Sequence, residues 1–327
     1  MKHVHISQMP AEDGRAACGG PAPKQITRRL WKLSRKYAQN LGKSFRLACD
    51  GNDDGVHDLR VATRRLQAIV ELLDPERRGK KAKELRRNLK ALRHAVGEER
   101  DLRLFAQSAR RRARRSTTPA RRRVWRQIAA DLAAEFTAAS KHARKRLQQR
   151  APAVLAQKIK RALQKNGSKI DTGQNATAIE NARWKLAASI REAETPHAVS
   201  GYHNVRIKAK SLRYLLEIRA NIALSNADNG LINLLKSVQD ELGDWHDEVE
   251  LCRRATATLS ADADRQADAE ATAVLEAIRG RSGVINQHAR EVAGRLRDAL
   301  GLDGLKAHPA PAHRRSPRTT RADGGTH

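Results

Sequence analysis

Apolar residues recur along this chain at the three- and four-residue spacing of helices, with polar residues on the opposite faces. Helices are expected over about 24–49, 55–74, 77–115, 119–150, 152–165, 176–194, 201–224, 228–260 and 264–299. Local chemistry sets the breaks. Asp50-Gly51-Asn52-Asp53-Asp54-Gly55 is a turn cluster. Asp74-Pro75 closes one helix and opens the next. Thr118-Pro119 pairs a capping hydroxyl with a proline suited to a first turn. Asn166-Gly167-Ser168 begins a loop reaching about Asn175, and Pro196 and Gly201 bracket another. Residues 1–23 and 303–327 are punctuated by Pro and Gly without periodicity, and are expected to be a disordered leader and a disordered basic tail. The expected fold class is all-α.

The chain repeats itself at an offset of 146 residues. His57-Asp58-Leu59-Arg60-Val61 falls on His203-Asn204-Val205-Arg206-Ile207, Leu66 on Leu212 and Glu71 on Glu217. Without a gap, Leu85, Leu89, Lys90, Gly97 and Asp101 fall on Leu231, Leu235, Lys236, Gly243 and Asp247. Arg100 falls on His246. Keeping charge, Gly and Leu in register over such a stretch implies two homologous halves. The expectation is a helical domain over 24–302, with a first half at 24–150, a linker at 151–175 and a second half at 176–302. Each half is expected to form a four-helix bundle, the two related by an approximate two-fold.

Placed on a wheel, residues 57–73 separate into two faces. His57, Arg60, Arg64, Gln67 and Glu71 share one side; Leu59, Ala62, Leu66, Ile69 and Leu73 form the other, the expected core face. The second half repeats the pattern with His203, Arg206, Lys210, Arg213 and Glu217 against Val205, Leu212, Leu215 and Leu216, and Lys208 interrupts the apolar stripe. The next helix sets Lys90, Arg93, Gly97 and Arg100 against Leu85, Leu89, Leu92 and Val96. Its counterpart sets Lys236, Gln239, Gly243 and His246 against Leu231, Leu235, Val238 and Leu242. A mid-helix Gly costs up to ~1 kcal/mol relative to Ala. Two copies at matching places on a basic face imply that a ligand or a neighbouring helix comes close there. Asp101 and Asp247 suit the orientation of neighbouring basic side chains.

Charge turns these stripes into candidate chemistry. Lys and Arg number 65 against 36 Asp and Glu, a formal charge of +29 over 327 residues. Such a balance calls for a polyanionic partner. Aromatics are only 3% of the chain, so the core must be aliphatic. Three widely spaced cysteines, Cys18, Cys49 and Cys252, offer neither a disulfide framework nor metal-ligand spacing. No metal and no cofactor is expected. No apolar run is long enough for a membrane span and no signal core follows Met1, which points to the cytoplasm.

The stretches 56–66 (Val-His-Asp-Leu-Arg-Val-Ala-Thr-Arg-Arg-Leu) and 203–214 (His-Asn-Val-Arg-Ile-Lys-Ala-Lys-Ser-Leu-Arg-Tyr) resemble the CHAD family, the conserved histidine α-helical domain. Gly97-Glu98-Glu99-Arg100-Asp101 and Gly243-Asp244-Trp245-His246-Asp247 resemble it too, and the likeness covers roughly residues 24–300. The resemblance implies two four-helix bundles around a basic central groove or pore. It implies binding of inorganic polyphosphate, with some members found at polyphosphate granules. It makes His57, Arg60, Arg64, Lys90, Arg100, His203, Arg206, Lys210, Arg213, Lys236 and His246 the expected contacts, with Arg65 and Arg93 beside them. Gln67 departs from the family's usual basic residue, and Ser211 stands where the first half has Arg65. Relatives that carry a neighbouring triphosphate-tunnel enzyme domain contribute no activity here, because no Glu-x-Glu-x-Lys segment exists.

Other function classes compete. The run 110–126 holds nine arginines and no acid, enough to bind any phosphate backbone, so the alternative function is nonspecific DNA or RNA binding. Against it, the aromatics do not interleave with the basic stripes as stacking requires. No phosphate-loop motif, no acidic cluster spaced for magnesium and no marked nucleophile is present, so no enzyme is expected.

Overall fold

The computed structural model describes residues 22–166, 172–194, 199–224, 226–260 and 269–301. The expected leader before residue 22 and the expected tail lie outside them. The described residues are all-α, in ten helices: α1 Pro23–Cys49, α2 Asp53–Leu73, α3 Lys80–Ala95, α4 Gly97–Arg115, α5 Pro119–Gln148, α6 Pro152–Asn166, α7 Thr172–Ala193, α8 Val199–Ala223, α9 Asn229–Ser260 and α10 Ala269–Ala299. Among the described residues no helix is long and apolar enough to cross a membrane.

Side-chain caps start two of the helices. The Asn52 side chain accepts from the Gly55 N–H at 2.8 Å to start α2, and Thr118 accepts from the Arg121 N–H at 3.2 Å to start α5. Four expectations are corrected. Pro75 does not open a helix: the Asp74 carboxylate accepts from the N–H groups of Arg78 and Gly79, at 3.0 and 3.2 Å, and from Arg86 Nη2 at 2.7 Å. That holds 74–79 as a turn, with Arg77 at φ 59°, and delays α3 to Lys80. The single helix expected over 77–115 breaks at Val96, where φ is −109° and ψ 7°. A β-branched residue beside Gly is a weak place in a helix, and Glu98 and Glu99 favour a new N-terminus there. The corresponding Leu242-Gly243 passes through unbroken helix α9. Helix α7 starts at Thr172, inside the stretch expected as a loop up to Asn175. Gly201, expected at a loop edge, lies inside α8.

The apolar stripes are buried as their periodicity demands: Leu59, Leu66, Ile69, Leu89, Val96, Val205, Leu212, Leu216, Leu235 and Leu242 are essentially inaccessible. Each such aliphatic side chain stabilises the fold by about 1.5–3 kcal/mol through burial. The packing redraws the expected division of one bundle per half. One cluster joins α1, α2, α3, α6, α7 and α8 with the start of α9 and the end of α10. The other joins α4 and much of α5 to the end of α9 and the start of α10. Both clusters therefore take helices from both halves. The stretch joining the halves contributes to the core as well, because α6 buries Leu155, Ile159 and Leu163.

Gly55 and Gly201, 146 residues apart, mark the tightest crossings. A Cβ at Gly55 would come 2.4 Å from Leu47 Cβ, and one at Gly201 would come 2.6 Å from Ala193 Cα. Only glycine lets α1 meet α2, and α7 meet α8, so closely. Helices α2 and α8 also pack against each other, polar faces toward α4 and α9.

Candidate polyanion-binding site

Helices α2, α4, α8 and α9 enclose a groove of about 690 Å³. Into it point His57, Arg60, Arg64 and Arg65 from α2, Arg100 from α4, and Arg206, Lys210 and Arg213 from α8. Eight of the thirteen sequence-predicted contacts thus line one space. His203 and His246 stand beside it with ring centroids 4.8 Å apart. Arg93 sits behind it, lining a smaller cavity of about 110 Å³ that shares Arg64 and Tyr214 with the groove. Lys90 and Lys236 are exposed and line neither space. The interruption of the α8 stripe is explained by the small cavity: Lys208 faces it together with Lys185 and Arg77.

The matching glycines receive arginines. A Cβ on Gly97 would lie 3.3 Å from Arg60 Nη1, and one on Gly243 would lie 3.5 Å from Arg206 Nη2. A Cβ at Gly97 would crowd the Arg60 guanidinium, while at Gly243 it would meet Arg206 at ordinary contact distance. The acids at the next turn support the basic groups, Asp101 through an ion pair to Arg100 at 2.8 Å and Asp247 through His246 Nδ1 at 3.2 Å. A second pairing crosses the repeat with its members exchanged. In the first half Arg93 on α3 donates to Gln67 on α2; in the second, Arg213 on α8 donates to Gln239 on α9 at 3.2 Å. Gln67 and Arg213 occupy equivalent positions, as do Arg93 and Gln239, so each half keeps one arginine in the pair. The missing base at Gln67 is supplied from the facing helix.

Crowding of like charges in a partly dry groove leaves its mark on the titrating groups. Burial, then the charges of Arg206, Arg64, Arg100 and Arg60, pushes the Lys210 ammonium down to about 7. Burial and the Arg100, Arg64 and Arg206 charges bring Arg60 to about 10 against the pull of Asp101. Burial with Arg64 and Arg60 brings Arg93 to about 10. His203 is lowered by burial, then by His246, Arg206 and Lys210. Asp247 moves the other way from its burial: the His246 hydrogen bond, Arg100 and Arg206 hold it below the usual carboxylate range. Arg206 Nε is buried without a hydrogen-bond partner.

Three features go beyond the expected contacts. Tyr214 forms part of the partition between groove and cavity, with the Arg213 guanidinium 4.6 Å from its ring centroid. It closes the second signature stretch but is not among the expected contacts. Gln239 is buried, donating to the Leu235 carbonyl at 2.7 Å while accepting from Arg213. The third feature is acidic: Asp58, Asp240, Asp244 and Asp247 also line the groove. The last three follow the i, i+4, i+7 spacing of one α9 face, a signal present in the sequence and overshadowed by the basic stripes. The groove is thus polarised, with its cations on α2, α4 and α8 and three of its four carboxylates on α9.

A family model described as the CHAD domain matches residues 33–256. The chain belongs to the CHAD domain family. The solved CHAD domain from the plant Ricinus communis superposes with a TM-score of 0.61 at 17% identity, covering 86% of this chain and 93% of that one. PptA from Streptomyces chartreusis superposes with a TM-score of 0.52 at 18% identity, covering 84% and 98%. At these identities the likeness is one of fold. No curated protein matches the chain in sequence.

Proposed function

We propose that this CHAD domain binds inorganic polyphosphate, laid along the α2–α8 wall of the groove, as a binding protein and not an enzyme. The observation that carries this reading is the convergence of seven Lys and Arg side chains from three helices on one groove of about 690 Å³. Seven cations outnumber the four carboxylates that line the same groove, and the surplus positive charge calls for an anion among them. Arginine supplies planar forks for phosphate oxygens and Lys210 a point charge. A polymer of closely spaced oxyanions answers this arrangement better than a nucleic acid does. Of Phe, Trp and Tyr only Tyr214 lines the groove, and it is buried, which leaves bases little beyond the exposed His57 ring to stack on. The family resemblance points to the same ligand, and a cytoplasmic protein of this kind would be carried to polyphosphate granules by the binding itself.

Nonspecific nucleic-acid binding remains the second reading, favoured by one observation: Arg110, Arg111, Arg114, Arg115, Arg121, Arg123 and Arg126 are exposed on α4 and α5. A competition titration at about 0.15 M salt separates the two. Labelled long-chain polyphosphate is displaced by duplex DNA, single-stranded RNA or heparin at equal charge, on the wild type and on Arg60→Ala/Arg206→Ala. The expected result is at least a tenfold preference for polyphosphate, lost in the double variant. Equal competition by all polyanions, with the double variant unaffected, overturns the proposal.

A further inference from the structure

The arginine run does more than decorate a surface. Where α4 turns into α5, Arg111, Arg112, Arg115 and Arg121 meet Arg281 of α10 around a second cleft of about 560 Å³. Ser116 and Thr117 add hydroxyls at its edge. Its floor is apolar: Trp125 is 7% exposed, and Arg112 lies over it, 5.1 Å from the ring centroid. Two carboxylates reach this cluster among the described residues. Glu248 pairs with Arg112 and stands 3.8 Å from Arg281; Glu270 stands 3.5 Å from Arg121. Arg115 is exposed and makes no ion pair among the described residues. Arg111 donates to Ser108 Oγ at 3.3 Å. Five cations against two carboxylates leave a concave site with spare positive charge. The indole is too deeply buried and too closely covered to stack on a base, so phosphate oxygens are what the cleft can recognise.

The cleft is aligned with the groove. Arg100, which lines the groove, and Arg111, which lines the cleft, lie on α4 eleven residues apart. That is about 17 Å along the axis and, at 100° per residue, about 20° around it, so both project from one face. Arg115 continues the same face one turn on. We propose that the cleft is a second polyphosphate site, and that one long chain occupies groove and cleft together, running along α4. The proposal rests on the groove reading and adds a dependence on chain length. A chain long enough to reach both sites binds with avidity; a short one occupies them separately.

The test is calorimetry with tripolyphosphate and with long-chain polyphosphate at about 0.15 M salt. It uses the wild type, the groove variant Arg60→Ala/Arg206→Ala and the cleft variant Arg111→Ala/Arg115→Ala, whose altered side chains are exposed in the folded protein. The expected result is two tripolyphosphate sites in the wild type, one in each variant, and a loss of at least about tenfold in long-chain affinity in the cleft variant. A cleft variant that keeps wild-type long-chain affinity and both short-chain sites overturns the second site. Loss of single-stranded RNA binding in the cleft variant, with long-chain polyphosphate binding intact, assigns the cleft to nucleic acid and likewise overturns it. Failure of the groove reading looks different: the groove variant then binds both phosphate ligands as the wild type does.

Discussion

Lys210 is the side chain whose chemistry the tertiary environment changes most usefully. Its ordinary value of 10.5 falls to about 7 through burial and four neighbouring arginines. Between those values the unfolded chain binds a proton that the empty folded protein releases, so stability rises with pH across that window. The destabilisation is complete below about 7, where Lys210 is charged in both states. A bound polyanion returns the proton. Affinity for polyphosphate is therefore expected to fall as pH rises from about 7 toward 10, by up to tenfold per unit, with proton uptake on binding. Titrations in buffers of different ionisation enthalpy check this, and Lys210→Gln is expected to flatten both profiles. An unchanged slope in that variant removes Lys210 from the linkage. Histidine is the ordinary switch near neutral pH, and His57 and His203 are among the expected contacts. His57 is exposed, and His203 is pushed below the usual histidine range by burial, then by His246, Arg206 and Lys210. Neither environment can be read from the order of residues, because both depend on what the folded chain sets alongside.

At the level of helices, the halves differ in ways that cancel. The first half breaks at Val96 while α9 runs straight, yet Gly97 and Gly243 both receive an arginine from the helix beside them. The Gln67–Arg93 and Arg213–Gln239 pairs exchange their members across α2–α3 and α8–α9. Arg93→Gln is expected to weaken polyphosphate binding several-fold, and Gln67→Arg in that background is expected to restore it, reproducing the arrangement of the second half. Gln67→Arg alone sets two guanidinium groups against each other and is expected to lower thermal stability. Binding and melting measurements on the three variants check the exchange; a double variant no better than Arg93→Gln refutes it. The helices, their apolar faces and Thr118 as a cap were legible because each depends on neighbours three or four residues away. The turn over 74–79 was not, because it is held partly by Arg86 on the next helix.

For the whole molecule, charge sets the behaviour. With seven cationic side chains engaged in the groove, the logarithm of affinity is expected to fall against the logarithm of salt with a slope of about −5, at roughly 0.7 per contact. Arg60→Ala/Arg206→Ala is expected to reduce that slope by about 1.4, at the same roughly 0.7 per contact. A slope near zero would mean that the groove does not engage its ligand through these charges. Three α9 carboxylates face the cationic wall across the groove, and exposed Lys90 and Lys236 are not among the residues that line it.

The order of residues by itself determined the all-α class, most helix positions, the apolar stripes and the family, because these follow from periodicity and from motifs short enough to read along one helix. It placed seven groove residues on polar faces, and Arg65 through the family resemblance, without saying which faces meet. Tertiary structure alone decided that each hydrophobic cluster takes helices from both halves. It also decided that Arg93 lies in the neighbouring cavity, that α9 brings acids into the groove, and that the arginine run bends around a cleft. All of these depend on contacts between residues far apart in sequence, where packing density and the crowding of like charges, not local spacing, select the arrangement.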